Sequence, residues 1–223
     1  FMLDLHTEVH GFTELALPFL ANANSMKNTG QLPKLKDDMY YVGEDKFYLI
    51  PTAEVVLTNY RAGEMLKEEE LPVKYCGYTP CFRREAGAYG ADTKGLQRLH
   101  QFDKVELVLL AHPEKSYEMH EKLLFWSEEV LRRLGLTYRI LLLASGDLSF
   151  SAAKCYDIEL WAPADEKWLE VSSCSNFEDF QARRSDIRYR PMNGGKPQYV
   201  HTLNSSGVAL PRLIIAIMEN YQQ

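Results

Sequence analysis

The spacing of apolar residues along this chain changes from one segment to the next, which predicts helices in some segments and strands in others. Residues 1–10 have the spacing of an amphipathic helix and lead into an apolar stretch that contains Pro18. Because proline cannot donate to a strand ladder, that stretch is expected at a sheet edge or an interface. The pattern also predicts a short strand over residues 47–50, and a helix from Thr52, as its N-cap, to about Tyr60.

A long hairpin is predicted between Leu71 and Leu110, and its two arms are separated by a polar loop over residues 86–97. This loop is too long for a tight turn, and loops of such length are usually mobile or functional. His112-Pro113 then opens a helix that runs to Leu134 and ends at Gly135. Its apolar stripe is predicted to comprise Tyr117, Leu123, Leu124, Val130 and Leu131.

The remaining segments predict more strands and one last helix. Polar turns separate the predicted strands, which favours hairpin connections and an antiparallel sheet. The helix over residues 212–221 is apolar nearly all round, so it is expected to be buried against that sheet. The strands are Tyr138–Leu143, Cys155–Trp161 and Trp168–Ser173. The predicted fold class is therefore α+β, a mostly antiparallel β-sheet flanked by helices.

The hairpin places charged and aromatic side chains together. Residues two apart on a strand share a face, which would group Arg83 with Glu85 on one arm and Arg98, Phe102 and Glu106 on the other. At about 3.3 Å per residue, Phe102 and Glu106 stand roughly 13 Å apart, about the reach of a nucleotide joined to a small polar group. An adenylate would fit this surface, although a surface hairpin with ordinary salt bridges is the alternative that the residues alone leave open.

Length and charge narrow the possibilities. A chain of 223 residues can bury a substantial core as one domain, which we take as residues 1–223. The net charge of −6 argues against binding nucleic acid by overall electrostatics, so any RNA contact must be local. The strongest basic cluster is Arg183-Arg184 with Arg188 and Arg190, and it is either a solvated loop or a contact for RNA.

Cysteine usage and the apolar runs indicate the compartment. Four cysteines form neither a C-x-x-C pair nor a Cys/His cluster with zinc spacing, so reduced, metal-free thiols are expected. Nothing in the sequence has the pattern of a signal peptide, and no apolar run reaches the roughly 18 residues of a membrane span. These features predict a cytoplasmic protein that has no membrane partner.

Long motifs along nearly the whole chain resemble the class II aminoacyl-tRNA synthetases, in the form found in seryl-tRNA synthetases. The hairpin resembles motif 2 of that class. The motifs, in the family's order, are Phe19-Leu20 with Thr29-Gly30-Gln31-Leu32-Pro33, Leu49-Ile50-Pro51-Thr52-Ala53-Glu54, Cys81-Phe82-Arg83-Arg84-Glu85-Ala86-Gly87 with residues 98–106, Phe150-Ser151-Ala152-Ala153-Lys154, Glu170-Val171-Ser172-Ser173-Cys174-Ser175-Asn176-Phe177 and His201-Thr202-Leu203-Asn204-Ser205-Ser206-Gly207. The resemblance implies serine activation with ATP to seryl-adenylate, followed by transfer to the 3′ end of tRNA(Ser).

The resemblance implies an ATP site with two catalytic arginines, Arg83 and Arg212, on the α- and γ-phosphates. Phe102 would stack on adenine, and Glu170 with Ser173 would hold Mg²⁺. The full expected ATP set is Arg83, Arg84, Glu85, Arg98, Leu99, Phe102, Glu170, Val171, Ser172, Ser173 and Arg212. Strict strand alternation would put Glu170 and Ser173 on opposite faces, so a bulge or strand end is expected near Ser172-Ser173-Cys174.

A serine pocket is implied beside the ATP site, with Glu106 reading the hydroxyl and Thr52 and Glu54 contacting the amino group. A buried carboxylate left unpaired by alanine would reject that analogue, whereas threonine must be excluded by pocket volume. The full expected serine set is Thr52, Ala53, Glu54, Arg83, Glu106, Asn204 and Ser206.

Motif 3, which the resemblance places at residues 204–212, departs from the family at Ser205 and Pro211, where glycine is usual. Proline is tolerable in the first turn of the last helix, where its missing N–H has no partner to lose. Ser205 is harder to explain, because a side chain there puts in doubt how closely the backbone can approach the substrate.

The resemblance also implies partners. The segment with Pro18 matches motif 1, which predicts a homodimer, although motif 1 begins abruptly at Phe1 and the family's coiled-coil tRNA-binding arm is not in the sequence. We therefore expect a fragment that is the catalytic core.

Two alternative functions remain open. One is a related ligase that loads an amino acid onto a carrier protein, although the zinc-ligand spacing of that branch is missing here. The other is an inactive synthetase-like binding or regulatory paralogue. The second is disfavoured because a binding module would not need to retain together the residues Arg83, Glu85, Phe102, Glu106, Glu170 and Arg212.

Overall fold

The computed structural model describes residues 1–86 and 95–222 of the chain. The strands, in chain order, are β1 (Thr13–Glu14), β2 (Leu20–Asn22), β3 (Tyr41–Val42), β4 (Phe47–Leu49), β5 (Met65–Lys67), β6 (Val73–Phe82), β7 (Gln101–Ala111), β8 (Tyr138–Leu142), β9 (Lys154–Ala162), β10 (Lys167–Asn176), β11 (Arg188–Arg190), β12 (Gln198–Tyr199) and β13 (His201–Ala209). The α-helices are α1 (Met2–Asp4), α2 (Ala23–Asn28), α3 (Glu54–Asn59), α4 (Ser116–Arg133), α5 (Phe180–Ser185) and α6 (Leu210–Tyr221).

Within the described residues, seven strands form one sheet in the order β1-β6-β7-β13-β10-β9-β8. Only the pair between β1 and β6 is parallel, and the other pairs are antiparallel. Two small sheets, β12-β11-β5 and β2-β4-β3, flank it. The prediction of a mostly antiparallel sheet with helices is confirmed, as is the hairpin, since β6 and β7 pair throughout from Val73↔Leu110 to Phe82↔Gln101.

Alternation along the central strands separates a helix-covered face from an open face. On β7, Leu107 and Leu109 belong to the main core with α4 and α6, whereas Glu106 lies on the other face. On β13, Leu203 likewise packs under the helices, and Asn204 faces the open side with Glu106. The sheet therefore carries its largest apolar core on one face and its polar side chains on the other.

The long helix matches its prediction closely. His112 caps the turn that precedes α4, because its Nδ1 accepts from the Glu114 N–H at 3.2 Å, and Gly135 ends the helix with φ +64°. Four of the five predicted stripe residues are buried, but Tyr117 is exposed and donates to Glu178 at 2.7 Å. The prediction for Tyr117 is wrong because a tyrosine hydroxyl can reach a carboxylate at the helix rim.

The N-terminal segment differs from its prediction in two places. The helix begins as α1 but continues as a π-helical turn over Leu5–Val9, in which the His10 N–H donates to the Leu5 carbonyl. The apolar stretch that follows is divided between β1 and β2, and Pro18 lies between them. Pro18 is thus not a strand residue, so the argument for an edge strand does not apply to it, although β1 is an edge strand of the main sheet.

The last helix is not buried all round. Leu213 and Ala216 pack into the main core, whereas Ile214 and Met218 are exposed in this chain. The apolar pattern was read as burial on every side, but the sheet covers only one side of α6. Among the described residues, none of the helices has both the length and the apolar composition that a membrane crossing requires.

Candidate active site

A cleft of about 610 Å³ opens on the uncovered face of the sheet. Its floor is formed by β7, β10 and β13, and the starts of α3 and α6 contribute to its walls. Most of the predicted site residues line it or its continuation beneath α6. They are Thr52, Glu54, Arg83, Glu85, Arg98, Leu99, Phe102, Glu170, Val171, Ser172, Ser173, Asn204, Ser206 and Arg212.

The predicted nucleotide end of the cleft lies at the tip of the hairpin. The Arg83 guanidinium lies 5.1 Å from the centroid of the Phe102 ring, and its Nε donates to the Pro51 carbonyl at 3.2 Å. Arg98 forms a short ion pair with Glu85 beside them. One guanidinium group therefore lies over the aromatic ring and a second lines the same cavity, an arrangement that can stack a purine base and neutralise phosphate.

The reason given for this convergence was partly wrong. β6 ends at Phe82 and β7 begins at Gln101, so Arg83, Glu85 and Arg98 are not strand residues. Glu85 has φ +54°, which turns the chain and brings its carboxylate towards Arg98. Of the predicted loop over residues 86–97, residues 87–94 lie outside the described part of the chain, and so does Gly87 of the motif.

The predicted magnesium ligands share a face because of a bulge. Between Glu170 and Ser172 the pairing of β10 with β9 shifts by one residue, so that Glu170 lies opposite Glu159 and Ser173 opposite Asp157. Since Asp157 and Glu159 are two residues apart on β9, their partners lie on one face. The expected bulge is thus present, slightly earlier in the strand than predicted.

Asp157 is a carboxylate of this region that sequence reasoning missed. Burial and the neighbouring charge of Glu170 raise the pKa of Asp157 to about 6. A signal for it was present in the sequence: Asp157 and Glu159 are two residues apart on one strand, so their side chains share a face, and Glu159 pairs with Glu170 on the neighbouring strand. Two carboxylates and the Ser173 hydroxyl therefore form a cluster of oxygen ligands, the type that hard divalent cations prefer.

Arg212 enters the cleft from the first turn of α6. Pro211 occupies the start of that helix, as expected, where it removes no helical hydrogen bond. The Arg212 guanidinium donates to the carbonyl of Glu170 at 2.5 Å and to that of Gln97 at 3.1 Å. Arg212 is thereby held over the bulge that carries the predicted metal ligands.

The predicted serine pocket is a buried charged cluster. Glu106 has no exposed surface, and its carboxylate is 2.5 Å from the Lys104 ammonium. It also accepts from the Asn204 amide at 2.8 Å and from the Thr52 hydroxyl at 3.3 Å. Lys104 was missed, although it lies between Phe102 and Glu106 at period two on the same face of β7.

Glu54 is the second buried carboxylate of this pocket. Burial and the negative charge of Glu106 raise the pKa of Glu54 to about 7, against the lowering effects of Gln181, Lys104 and Arg83. The Gln181 amide donates to Glu54 at 2.7 Å, and its oxygen accepts from Thr202. Gln181 comes from α5, far along the chain, and no local signal pointed to it.

Thr52 does not cap α3 as predicted. The helix begins at Glu54 with Ala53 as the capping residue, and the Thr52 hydroxyl accepts from the Glu54 N–H at 3.3 Å while it receives a hydrogen bond from Lys104 at 2.9 Å. Ala53 is fully buried and does not line the cleft. Arg84 does not line it either, and its N–H donates to the Asp38 carbonyl at 2.7 Å.

Ser205 points away from the cleft. Its hydroxyl lies 2.8 Å from that of Ser127 on α4 and 3.2 Å from that of Ser172, and all three residues are buried. Ser172 in turn donates to the Ser206 carbonyl at 2.6 Å. The side chain that departs from the family pattern therefore fills a polar contact beneath α4 and leaves the approach to the cleft open.

The fold and this site define a class II aminoacyl-tRNA synthetase core. The family model of the class II tRNA synthetase core domain (G, H, P, S and T) matches residues 38–221, and the chain belongs to that family. Within the class it is similar to seryl-tRNA synthetases, as the following relatives show.

Whole-chain similarity supports this assignment. The chain is 57% identical over 222 residues to the serine–tRNA ligase of Chlorobium phaeobacteroides (strain BS1), of which it covers 52%. It superposes with a TM-score of 0.95 and 44% identity on the crystal structure of seryl-tRNA synthetase from Pyrococcus horikoshii complexed with ATP, covering 49% of that chain. It also superposes on the crystal structure of cytoplasmic serine–tRNA ligase from Naegleria fowleri in complex with AMP, with a TM-score of 0.92 and 36% identity, and it covers 53% of that chain. The chain thus spans about half the length of the curated relatives it matches.

Proposed function

We propose that this chain is the catalytic part of a serine–tRNA ligase, which activates serine with ATP to seryl-adenylate and transfers it to tRNA(Ser). The observation that carries the proposal is the continuity of two sites in one cleft. Arg83, Arg212 and Phe102 line a site suited to a nucleotide, and Glu54 and Thr52 line the pocket next to it. Glu106 has no exposed surface and does not line the cleft, but it accepts a hydrogen bond from the Thr52 hydroxyl of this pocket. An amino acid in that pocket would lie beside the phosphates of ATP.

Activation requires an oxygen of the serine carboxylate to bond to the α-phosphorus as the bond to pyrophosphate breaks. The reacting groups supply the nucleophile and the leaving group, so the chain contributes orientation and positive charge. Arg83 would hold the α-phosphate while Phe102 stacks on adenine, and Arg212 would meet the γ-phosphate. In the second step a ribose hydroxyl oxygen bonds to the serine carbonyl carbon, the bond to phosphate breaks, and AMP leaves while the hydroxyl proton passes to its phosphate or to water.

Magnesium fits this cleft through Glu170 and Ser173, with Asp157 behind them. Burial and the neighbouring charge of Glu170 raise the pKa of Asp157 to about 6, and a divalent cation here would favour its charged form. Among the described residues no group of three or more histidine, cysteine or acidic side chains could hold a metal by itself. Magnesium commonly takes one or two carboxylates and completes its ligands with substrate phosphates, whose charge it neutralises.

Serine is selected by charge and by hydrogen bonding. The ammonium group of serine would compensate Glu54, and its hydroxyl would reach Glu106. Alanine would leave a buried carboxylate without that partner, which penalises it more strongly than a difference of one methylene group would.

The proposal includes partners and a compartment. A homodimer through the N-terminal segment is supported by exposed apolar residues there, including Phe19 and Leu20. A cytoplasmic location is supported by four free, buried cysteines.

The test is ATP–pyrophosphate exchange measured with each of the common amino acids. We expect serine alone to support rapid exchange, with alanine and threonine far slower.

Arg83→Ala and Arg212→Ala should each lower the exchange rate about 10²-fold or more, because each removes a donor to charge that grows in the transition state. Neither arginine is in the apolar core, so the melting temperature should change little. Exchange that no amino acid stimulates would instead favour an inactive, synthetase-like binding protein.

A further inference from the structure

The cleft has one wall that neither ATP nor serine accounts for. This rim is formed by Lys34, Phe150, Phe180 and Arg184, of which Lys34 and Phe150 line the cleft directly. It faces the same cavity as Glu170, Arg212 and the serine pocket. A ligand on the rim would therefore share one cleft with a seryl-adenylate.

Phe150 is presented as a stacking surface. It is 48% exposed, although it is a large aromatic residue at the mouth of a polar cleft. Phe180 supports it edge to face, with the ring centroids 5.7 Å apart. Gly30 passes close beneath both rings with φ +86°, and a Cβ added there would lie 3.3 Å from Phe150 and 3.4 Å from Phe180. Phe180 and Gly30 thus hold the Phe150 ring in place, while nearly half of its surface stays exposed.

Positive charge accompanies the rings. The Lys34 ammonium lies 5.1 Å from the Phe150 centroid, and the Arg184 guanidinium lies 3.8 Å from that of Phe180. Within the described residues neither cation has a carboxylate at ion-pair distance, whereas the neighbouring Arg183 is paired with Asp179 at 3.1 Å. Lys34 and Arg184 can therefore bind an anion such as a phosphate without first breaking an ion pair within the protein.

We propose that this rim binds the single-stranded 3′-terminal nucleotides of the acceptor RNA, with a terminal base stacked on Phe150 and a phosphate near Lys34. An exposed ring flanked by cations is the arrangement that binds unstacked bases without reading their sequence. A duplex would not offer a free base face to Phe150. The inference rests on the proposed function, because it places the third substrate of that reaction.

Binding of a hairpin RNA tests this directly. The probes are a hairpin with the acceptor-stem sequence of tRNA(Ser) and a short single-stranded 3′ end, and the same hairpin trimmed to a blunt end. Fluorescence anisotropy at fixed salt should show about tenfold tighter binding of the overhanging form, as expected for stacking of one or two bases. Phe150→Ala should abolish most of that preference, and Lys34→Ala should weaken binding of the overhanging form.

A matched control is available on α4. Phe125 is 47% exposed and carries the Arg132 guanidinium 4.3 Å from its ring, but it does not line the cleft. Phe125→Ala should keep the preference for the overhanging hairpin. The proposal is overturned if Phe150→Ala retains the preference, or if both phenylalanine variants lose it equally.

A second measurement separates this inference from the proposed function. Serine-dependent exchange uses no RNA, whereas transfer of serine to the overhanging hairpin, measured in a single turnover from preformed adenylate, uses the rim. We expect Phe150→Ala to slow transfer about tenfold relative to exchange. Lack of exchange in the unmodified chain would refute the proposed function, while an equal loss of exchange and transfer in Phe150→Ala would refute the role of the rim.

Discussion

In the proposed serine pocket, Glu54 and Glu106 are both buried near the Lys104 ammonium. Glu54 and Glu106 are at most 6% exposed, and Lys104 is 5% exposed. Lys104 is committed to Glu106 and to the Thr52 hydroxyl, so Glu54 is left with the amide of Gln181. Among the described residues, Glu54 has no cation at ion-pair distance, and the ammonium group of an amino acid would supply one.

Serine binding should depend on pH through Glu54. Its pKa is about 7 in the empty cleft, and a bound ammonium favours the charged form, so serine binding should release a proton. We expect the KM for serine to fall as pH rises from about 6 to about 8, and Glu54→Gln to give a higher and pH-independent KM. Exchange kinetics across this range would show it. A pH-dependent KM that survives in Glu54→Gln would assign the titration to another group.

The same carboxyl should make the free protein less stable as pH rises. A folded-state pKa of about 7 lies above the ordinary value of 4.5, so between these values the unfolded chain loses its proton while the folded chain keeps it. The resulting destabilisation is fully present above about pH 7. Thermal unfolding should therefore show Glu54→Gln to be more stable than the unmodified chain at about pH 8, with little difference at about pH 4.

Glu106 has a structural effect that must be separated from recognition. Glu106→Ala leaves the Lys104 ammonium buried without a counter-ion, which typically costs about 3–5 kcal/mol. The double variant Glu106→Ala with Lys104→Met should recover much of that stability but no serine activation. Denaturant unfolding and exchange on the same preparations measure both quantities. Serine activation near the normal rate in the stable double variant would show that Glu106 does not read the hydroxyl.

At the residue scale, the motifs located the site but not its charge balance. Arg83, Phe102 and Glu170 could be found because they belong to long local patterns. Asp157 and Gln181 contribute through pairing with distant strands and helices, and nothing near them in sequence predicts those neighbours. Lys104 was within reach of the period-two rule, but a lysine next to an aspartate on a strand more often indicates a solvated face.

At the scale of elements, β13 was the main omission. Its residues include asparagine, two serines and glycine, which are weak strand formers, so no strand was predicted there. It is nevertheless a central strand, because one face packs on α4 and the other faces the cleft. Its pairing with β7 shifts between Ser206 and Ala209, where Val208 has φ +107°. Such a strained turn requires support from surrounding packing, which a local pattern cannot show.

The serine cluster beneath α4 should support β13 without taking part in catalysis. Ser205→Gly restores the residue usual in the family but removes hydrogen-bond partners from Ser127 and Ser172, and it adds backbone freedom in a strand. We expect a loss of about 1–3 kcal/mol in unfolding free energy and an exchange rate within about threefold of normal at a permissive temperature. Ser205→Ala isolates the hydroxyl contribution. A much faster reaction in Ser205→Gly would mean that this side chain does restrict the substrate.

For the whole molecule, the distribution of exposed apolar residues is uneven. Leu20 and Phe47, on the small sheet formed by β2, β4 and β3, and Phe19, directly before β2, are each at least 38% exposed. Large apolar residues exposed in one region are typical of an interface between subunits. The sequence indicated this region through Pro18, but it could not show which side chains remain uncovered once the chain has folded.

The proposed homodimer should depend on this small-sheet surface. Leu20→Lys places a charge where a partner would bury an apolar side chain, so we expect dissociation to monomers or at least a tenfold weaker dimer. Sedimentation velocity over a range of concentrations measures the change. Leu142→Lys is the matched control, because Leu142 is 62% exposed on β8 at the opposite edge of the main sheet from β1. If Leu20→Lys stays dimeric, or if Leu142→Lys dissociates equally, the interface lies elsewhere; a monomeric unmodified chain would refute the dimer itself.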